Sequence, residues 1–139
     1  MNLIAFIIGI LISITIVVYF KSSRLENSKF AYPILLATLP FYYFVFAIYG
    51  NDSAALALEI VAGLLFFIIA MSVFKTNCFY KFSFLSFGYI LHAVYDVIHD
   101  LLFINAGTPI WWSVFCGVID ITIGLYLANL AFKYRVKSV

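Results

Sequence analysis

The stretch Phe82-Ser-Phe-Leu-Ser-Phe-Gly-Tyr-Ile-Leu-His-Ala-Val-Tyr-Asp-Val-Ile-His-Asp-Leu-Leu-Phe-Ile104 decides how this chain is read. A helix needs about 20 mostly apolar residues to cross a bilayer, and this run is long enough. Its second half, Gly88 to Asp100, nevertheless carries both histidines of the protein and two of its six acidic residues. Ionisable groups inside a span are expensive, and they face a cavity, a partner or a metal. The composition around the run settles its solvent. Of 139 residues, 66% are apolar and 10% charged, and mean hydropathy is +1.14. Soluble domains are closer to half apolar and a quarter charged. The class expected is an integral membrane protein, all-α, with no extramembrane domain. No basic face supports nucleic-acid binding. Cys78 and Cys116 fall in different segments and give no disulfide framework. The first apolar run follows no basic n-region and precedes no small-residue cleavage pattern, so it reads as a retained helix.

Outward from residues 82–104, four more runs qualify, giving a bundle of five transmembrane helices over residues 2–20, 30–49, 54–74, 82–104 and 110–132. In the first, Gly9 and Ser13 form a small-x3-small pair suited to a close helix contact. In the second, Pro33 is tolerated in the first turn and Pro40 is expected to kink the span. Tyr42 and Tyr43 follow the kink and can point hydroxyls inward. Asp52 or Ser53 can cap the third helix, and residues 105–109 read as a turn. Orientation follows from the basic residues. Three lie in residues 21–29, two in 75–81 and three in 133–139, which is the whole supply of eight. The positive-inside rule then sets the N-terminus outside and the C-terminus in the cytoplasm. Trp111 and Trp112 are expected at the outer interface, with Tyr19, Tyr80 and Tyr134 at the inner one.

Helical spacing sorts the polar groups onto stripes. At 100° per residue, Gly88, His92, Asp96, His99 and Phe103 share one face of the fourth helix, with Tyr95 and Asp100 at its edges. Ser113, Cys116, Asp120 and Gly124 share a face of the fifth. Asp52, Glu59, Gly63 and Phe66 share a face of the third. Counted from the outer ends, Glu59 and His99 lie roughly 8 Å deep, Asp96 about 12 Å, Asp120 roughly 15 Å and His92 about 18 Å. Three helices thus bring their only charges to similar depths in the outer half of the bilayer. A lone Asp or His in a span can merely hydrogen-bond a neighbouring helix. Five ionisable groups together cost far more than packing requires.

Imidazoles with carboxylates form a competent shell for a divalent metal. A thiolate from Cys116 favours zinc, with iron and manganese as alternatives. His92 and His99 are two turns, about 10 Å, apart and are not expected to share one ion. The metal set read from the sequence is Asp96, His99, Glu59 and Asp120, with His92 and Asp96 as the acid/base pair and Asp100, Cys116 and Tyr95 as additional members. An ion between His92 and Asp96 stays open as the other placement. Asp96-x2-His99 resembles the carboxylate-x2-His pair of di-metal helix bundles, which use that pair twice.

The run Gly88-Tyr-x2-His92-x2-Tyr95-Asp96-x2-His99-Asp100, the turn Gly107-Thr108-Pro109 and Cys116-x3-Asp120 together resemble a family of short bacterial integral membrane proteins, domain of unknown function 6010. The family pattern is G-W-x-L-H-x3-W-D-x2-H-H, a Gly/Pro turn and G-C-x3-D, with a glutamate in an earlier helix. His92, Asp96, His99, Cys116 and Asp120 match it position by position, and Glu59 matches the glutamate. Tyr95 replaces a Trp, and Asp100 replaces a second His. The resemblance implies a site at these residues and leaves the reaction open. In chemistry alone, the seven-helix membrane hydrolases of the alkaline ceramidase and adiponectin-receptor type also set His and Asp around zinc.

The function expected is a membrane-embedded metal-binding protein of hydrolase-like activity, in which a bound metal lowers the pKa of a water and a free His or Asp accepts its proton. The alternatives are proton or metal-ion transport along the His99, Asp96, His92 ladder, and a subunit binding a small ligand beside Tyr42 and Tyr43. The expected setting is the cell (inner) membrane, multi-pass, with a lipid or small-molecule ligand and assembly as a homo-oligomer.

Overall fold

In a computed structural model that describes residues 2–137, all the regular structure of the described residues is helical. Helices α1 (Leu3–Ser22), α2 (Ala31–Tyr49), α3 (Ser53–Ser72), α4 (Cys78–Leu102) and α5 (Trp112–Lys137) follow in order, with one short 3-10 turn at Leu25–Asn27. The five apolar runs are these five helices. Four of them, α1, α2, α3 and α5, are long and apolar enough to cross a membrane. The exception is α4, which is 25 residues long and gathers the polar groups.

Side-chain caps set several helix starts. Asn2 Oδ1 accepts from the Ala5 N–H at 3.1 Å, and Asp52 Oδ1 accepts from the Ala55 N–H at 2.9 Å. Asn77 Oδ1 accepts from the Tyr80 N–H at 3.1 Å. That cap starts α4 at Cys78, where the apolar run placed the start at residue 82. At the other end α5 continues to Lys137, past residue 132. Both differences have one reason. Hydropathy marks where the apolar run ends, whereas lysine and arginine are good helix formers that carry a helix on past it. The fourth segment stops at Leu102, since Phe103 is extended at φ −163° and ψ 161°.

Packing divides the bundle. Helix α5 lies between α1 and α4, while α2 and α3 form a hairpin that meets α4 less extensively. Helix α1 buries only Ala5, Gly9 and Ser13. A Cβ on Gly9 would stand 2.9 Å from the Phe115 carbonyl oxygen, so this stripe of small residues lets α1 and α5 approach closely. Between α4 and α5, the Ser86 hydroxyl donates to the Gly124 carbonyl at 2.8 Å. At one end the α4–α5 loop sits on the α2–α3 turn, where a side chain on Gly107 would run into the Phe46 carbonyl. Asn51 in that turn takes the left-handed conformation, φ 51°, which Asn tolerates. Proline 40 is buried within a helix that runs through it.

The surface is apolar. Ile4, Val61, Val97 and Leu101 are 70%, 68%, 71% and 84% exposed. Water would charge about 25 cal/mol for each Å² of such surface, whereas hydrocarbon accepts it. The positions of all eight Lys and Arg fall at one end, where α1 and α5 finish and α4 begins. There Lys81 Nζ donates to the Ser28 carbonyl at 3.2 Å, and the Tyr126 hydroxyl donates to Glu26 Oε2. One expectation for the opposite end changes. Trp111 is half-exposed, but Trp112 is 7% exposed, packed among the rings of Tyr42, Tyr43, Phe46 and Phe115. Two adjacent residues of a helix start face different directions, so only one of the pair can lie outward.

Candidate metal centre

The stripe predicted on α4 faces inward. Gly88, His92, Asp96 and His99 are all buried. Cys116 and Asp120 approach from α5, Glu59 and Phe66 from α3, and Tyr43 from α2. These groups form two polar centres at successive levels.

The inner centre surrounds His92. Its Nδ1 meets Asp120 Oδ2 at 2.7 Å and stands 3.5 Å from Asp96 Oδ2. The Cys116 thiol donates to Asp120 Oδ2 at 3.8 Å, and the Tyr43 hydroxyl donates to Asp96 Oδ1 at 2.7 Å. The Phe66 ring meets the imidazole edge-on at 4.6 Å. One ligand atom from each of His92, Asp96, Cys116 and Asp120 lies within 4.8 Å of the others, and none of these residues is more than 2% exposed. His92 Nε2, Asp96 Oδ2 and Asp120 Oδ1 are buried with no hydrogen-bond partner. Orphaned polar atoms are costly in a protein interior.

The outer centre surrounds Glu59. Its Oε1 accepts from His99 Nε2 at 2.7 Å and Asn105 Nδ2 at 2.9 Å, and its Oε2 accepts from the Tyr95 hydroxyl at 2.7 Å. On the far side of the ring, His99 Nδ1 meets Asp100 Oδ1 at 3.0 Å, and the Asp100 side chain is 82% exposed. Both ring nitrogens of His99 thus face carboxylates. Unlike the inner centre, this one is closed, with both oxygens of Glu59 used. Tyr43 joins the two levels. Its hydroxyl reaches Asp96, its ring stacks on His99 with centroids 4.5 Å apart, and its carbonyl accepts from Asn105 at 3.2 Å.

The structure therefore divides the set read from the sequence. Asp96 and Asp120 stand with His92 and Cys116, while Glu59 and His99 stand with each other, Tyr95 and Asp100. Spacing along α4 gives each residue's height and face, but not which neighbouring helix stands opposite. At the height of His92 that neighbour is α5, and at the height of His99 it is α3. Sequence reading also missed Asn105, which composition hides inside a turn. It flagged Tyr42 and Tyr43 together, and only Tyr43 turns inward; Tyr42 is 49% exposed.

One nitrogen, two carboxylates and a thiol suit a divalent cation. Ligands held about 2.0–2.3 Å from zinc stand roughly 3.3–3.7 Å from one another. The 3.5 Å separation of His92 from Asp96 matches that spacing, the 3.8 Å separation of Cys116 from Asp120 is close to it, and the 2.7 Å contact of His92 with Asp120 has to widen. Two ionised carboxylates in a dry interior are stabilised by positive charge beside them, which an ion supplies.

Fold and centre together define an all-α bundle with four membrane-length apolar helices around a buried group able to hold a metal ion. No protein-family model matches the chain, and neither a curated protein nor a solved structure is similar to it.

Proposed function

We propose that this chain is a multi-pass protein of the cell (inner) membrane that holds a divalent metal, zinc first, between His92, Asp96, Asp120 and Cys116. In this reading α4 is the fifth span, with its ionisable groups shielded by its neighbours. The N-terminus is outside and the C-terminus cytoplasmic, because every Lys and Arg position falls at one end. Both polar centres then lie in the outer half of the bilayer, and the outward apolar faces meet lipid or, in a homo-oligomer, a second copy. Kinship with the domain of unknown function 6010 family belongs to the same proposal and rests on the motif alone.

The observation that carries the metal reading is the convergence within 4.8 Å of one ligand atom each from buried His92, Asp96, Cys116 and Asp120, in a group where Asp96 Oδ2 and Asp120 Oδ1 have no hydrogen-bond partner. A bound ion supplies Lewis acidity. Three N/O ligands, with the Cys116 thiol as a fourth that a water can replace, suit a hydrolase-like centre. The Tyr43 hydroxyl on Asp96 orients that carboxylate and holds a proton beside it. The test is elemental analysis of protein purified without added chelator, with Asp96→Ala and Asp120→Ala as comparisons. Near-stoichiometric metal, lost in both variants, supports the reading. A folded, metal-free wild type overturns it.

One observation favours a second reading. Asp100, His99 and Glu59 form a carboxylate–imidazole–carboxylate line from the surface into the interior, an arrangement suited to stepwise proton movement. Proton flux into proteoliposomes that disappears in His99→Phe and survives Cys116→Ser would favour it over the metal enzyme.

A further inference from the structure

At the basic end, remote from both polar centres, a groove of about 480 Å³ opens between the end of α1 and the last turns of α5. Its volume is within the range of small-molecule sites, about 300–1,000 Å³. Lys21 and Lys133 contribute two exposed cations to its lining. Glu26 supplies one carboxylate, held in place by the Tyr126 hydroxyl. The rest of the wall is apolar, with Leu130 buried and Phe132 63% exposed.

We infer that this groove binds the headgroup of a glycerophospholipid of the cytoplasmic leaflet, with the phosphate between Lys21 and Lys133 and a headgroup hydroxyl or amine on Glu26. Two cations and one anion leave a single positive charge, which matches one phosphodiester. The carboxylate adds a requirement that a phosphate alone does not meet, since it needs a hydrogen-bond donor from the same ligand. The apolar wall adds another, a hydrocarbon neighbour, and Phe132 lies where acyl chains would run. A soluble phosphate would use the lysines and leave both other features idle. Polybasic segments beside a span attract anionic lipid in general. This groove differs in pairing its cations with an acceptor, so it selects headgroups that carry donors.

The inference rests on the membrane placement proposed above and is independent of the metal. Its test is native mass spectrometry of the wild type, Lys21→Gln/Lys133→Gln and Glu26→Gln, each extracted in detergent and offered phosphatidylglycerol, phosphatidylethanolamine, phosphatidylcholine or inorganic phosphate. Expected is one retained phosphatidylglycerol or phosphatidylethanolamine per chain, in preference to phosphatidylcholine, whose choline carries no donor. The double variant should weaken retention roughly 30-fold, the scale of two lysines near a phosphate headgroup. Glu26→Gln, which leaves both lysines in place, should abolish the preference over phosphatidylcholine. Equal retention of phosphatidylcholine by the wild type, unchanged retention in the variants, or displacement of lipid by millimolar phosphate would overturn the site. A chain that leaves membranes on alkaline washing would overturn the membrane placement itself.

Discussion

Tyr43 touches both polar centres, and its substitution separates them. Replacing it with Phe keeps the ring on His99 and removes only the hydroxyl that orients Asp96. Loss of such an outer hydrogen bond costs metal sites roughly 10–100-fold in affinity. We expect Tyr43→Phe to lose metal to a competing chelator by that factor while the bundle stays folded. Glu59 offers the reverse. Glu59→Ala strands donors from His99, Asn105 and Tyr95 in the interior, and each stranded group costs about 1–3 kcal/mol. Its thermal unfolding temperature in detergent should fall while its metal content per folded chain is unchanged. Metal loss in Glu59→Ala equal to that in Asp96→Ala would mean that the two centres act as one. At this scale much of the site was legible. His92, Asp96 and Asp120 stand out because each is an ionisable residue in an otherwise apolar run. Asn105 and the carbonyl of Tyr43 do not, since one sits in a turn and the other is common to every residue.

Among the elements, the α2–α3 hairpin joins the rest through a shared apolar core and through polar bonds, Tyr43 to Asp96 and Glu59 to His99 and Tyr95. Its outer turn is pinned by the α4–α5 loop at Gly107. Gly107→Val forces a side chain into the Phe46 carbonyl, and such overpacking costs typically about 1–3 kcal/mol. A lowered unfolding temperature is expected. Gly117→Ala is the control, because a Cβ there meets its nearest neighbours at an ordinary 3.8 Å. That variant should unfold no earlier than the wild type. The elements themselves could be read from five apolar runs, and Gly9 with Ser13 marked the close approach of α1 to α5. Helix ends were less legible. Asn77 extends α4 by a cap that hydropathy does not register, and the basic residues after Phe132 belong to a helix although they lie outside the apolar run. Which helix stands opposite His99 was not legible at all, because spacing within one helix carries no information about the neighbour's height.

The whole molecule joins an apolar exterior, one basic end and a buried polar interior. Its topology is open to labelling. Cys78 is exposed near the basic end and Cys116 is buried beside Asp120. A membrane-impermeant maleimide should modify Cys78 in inverted membrane vesicles, leave it unmodified in intact cells, and reach Cys116 in neither. Labelling of Cys78 from outside would reverse the orientation. The central claim, that the group of His92, Asp96, Cys116 and Asp120 holds a metal ion, is tested most directly by counting metal atoms per chain in the purified protein. Close to one divalent ion, zinc first, is expected in the wild type and none in Asp120→Ala. A folded wild type without metal, or metal retained undiminished in Asp120→Ala, would contradict it.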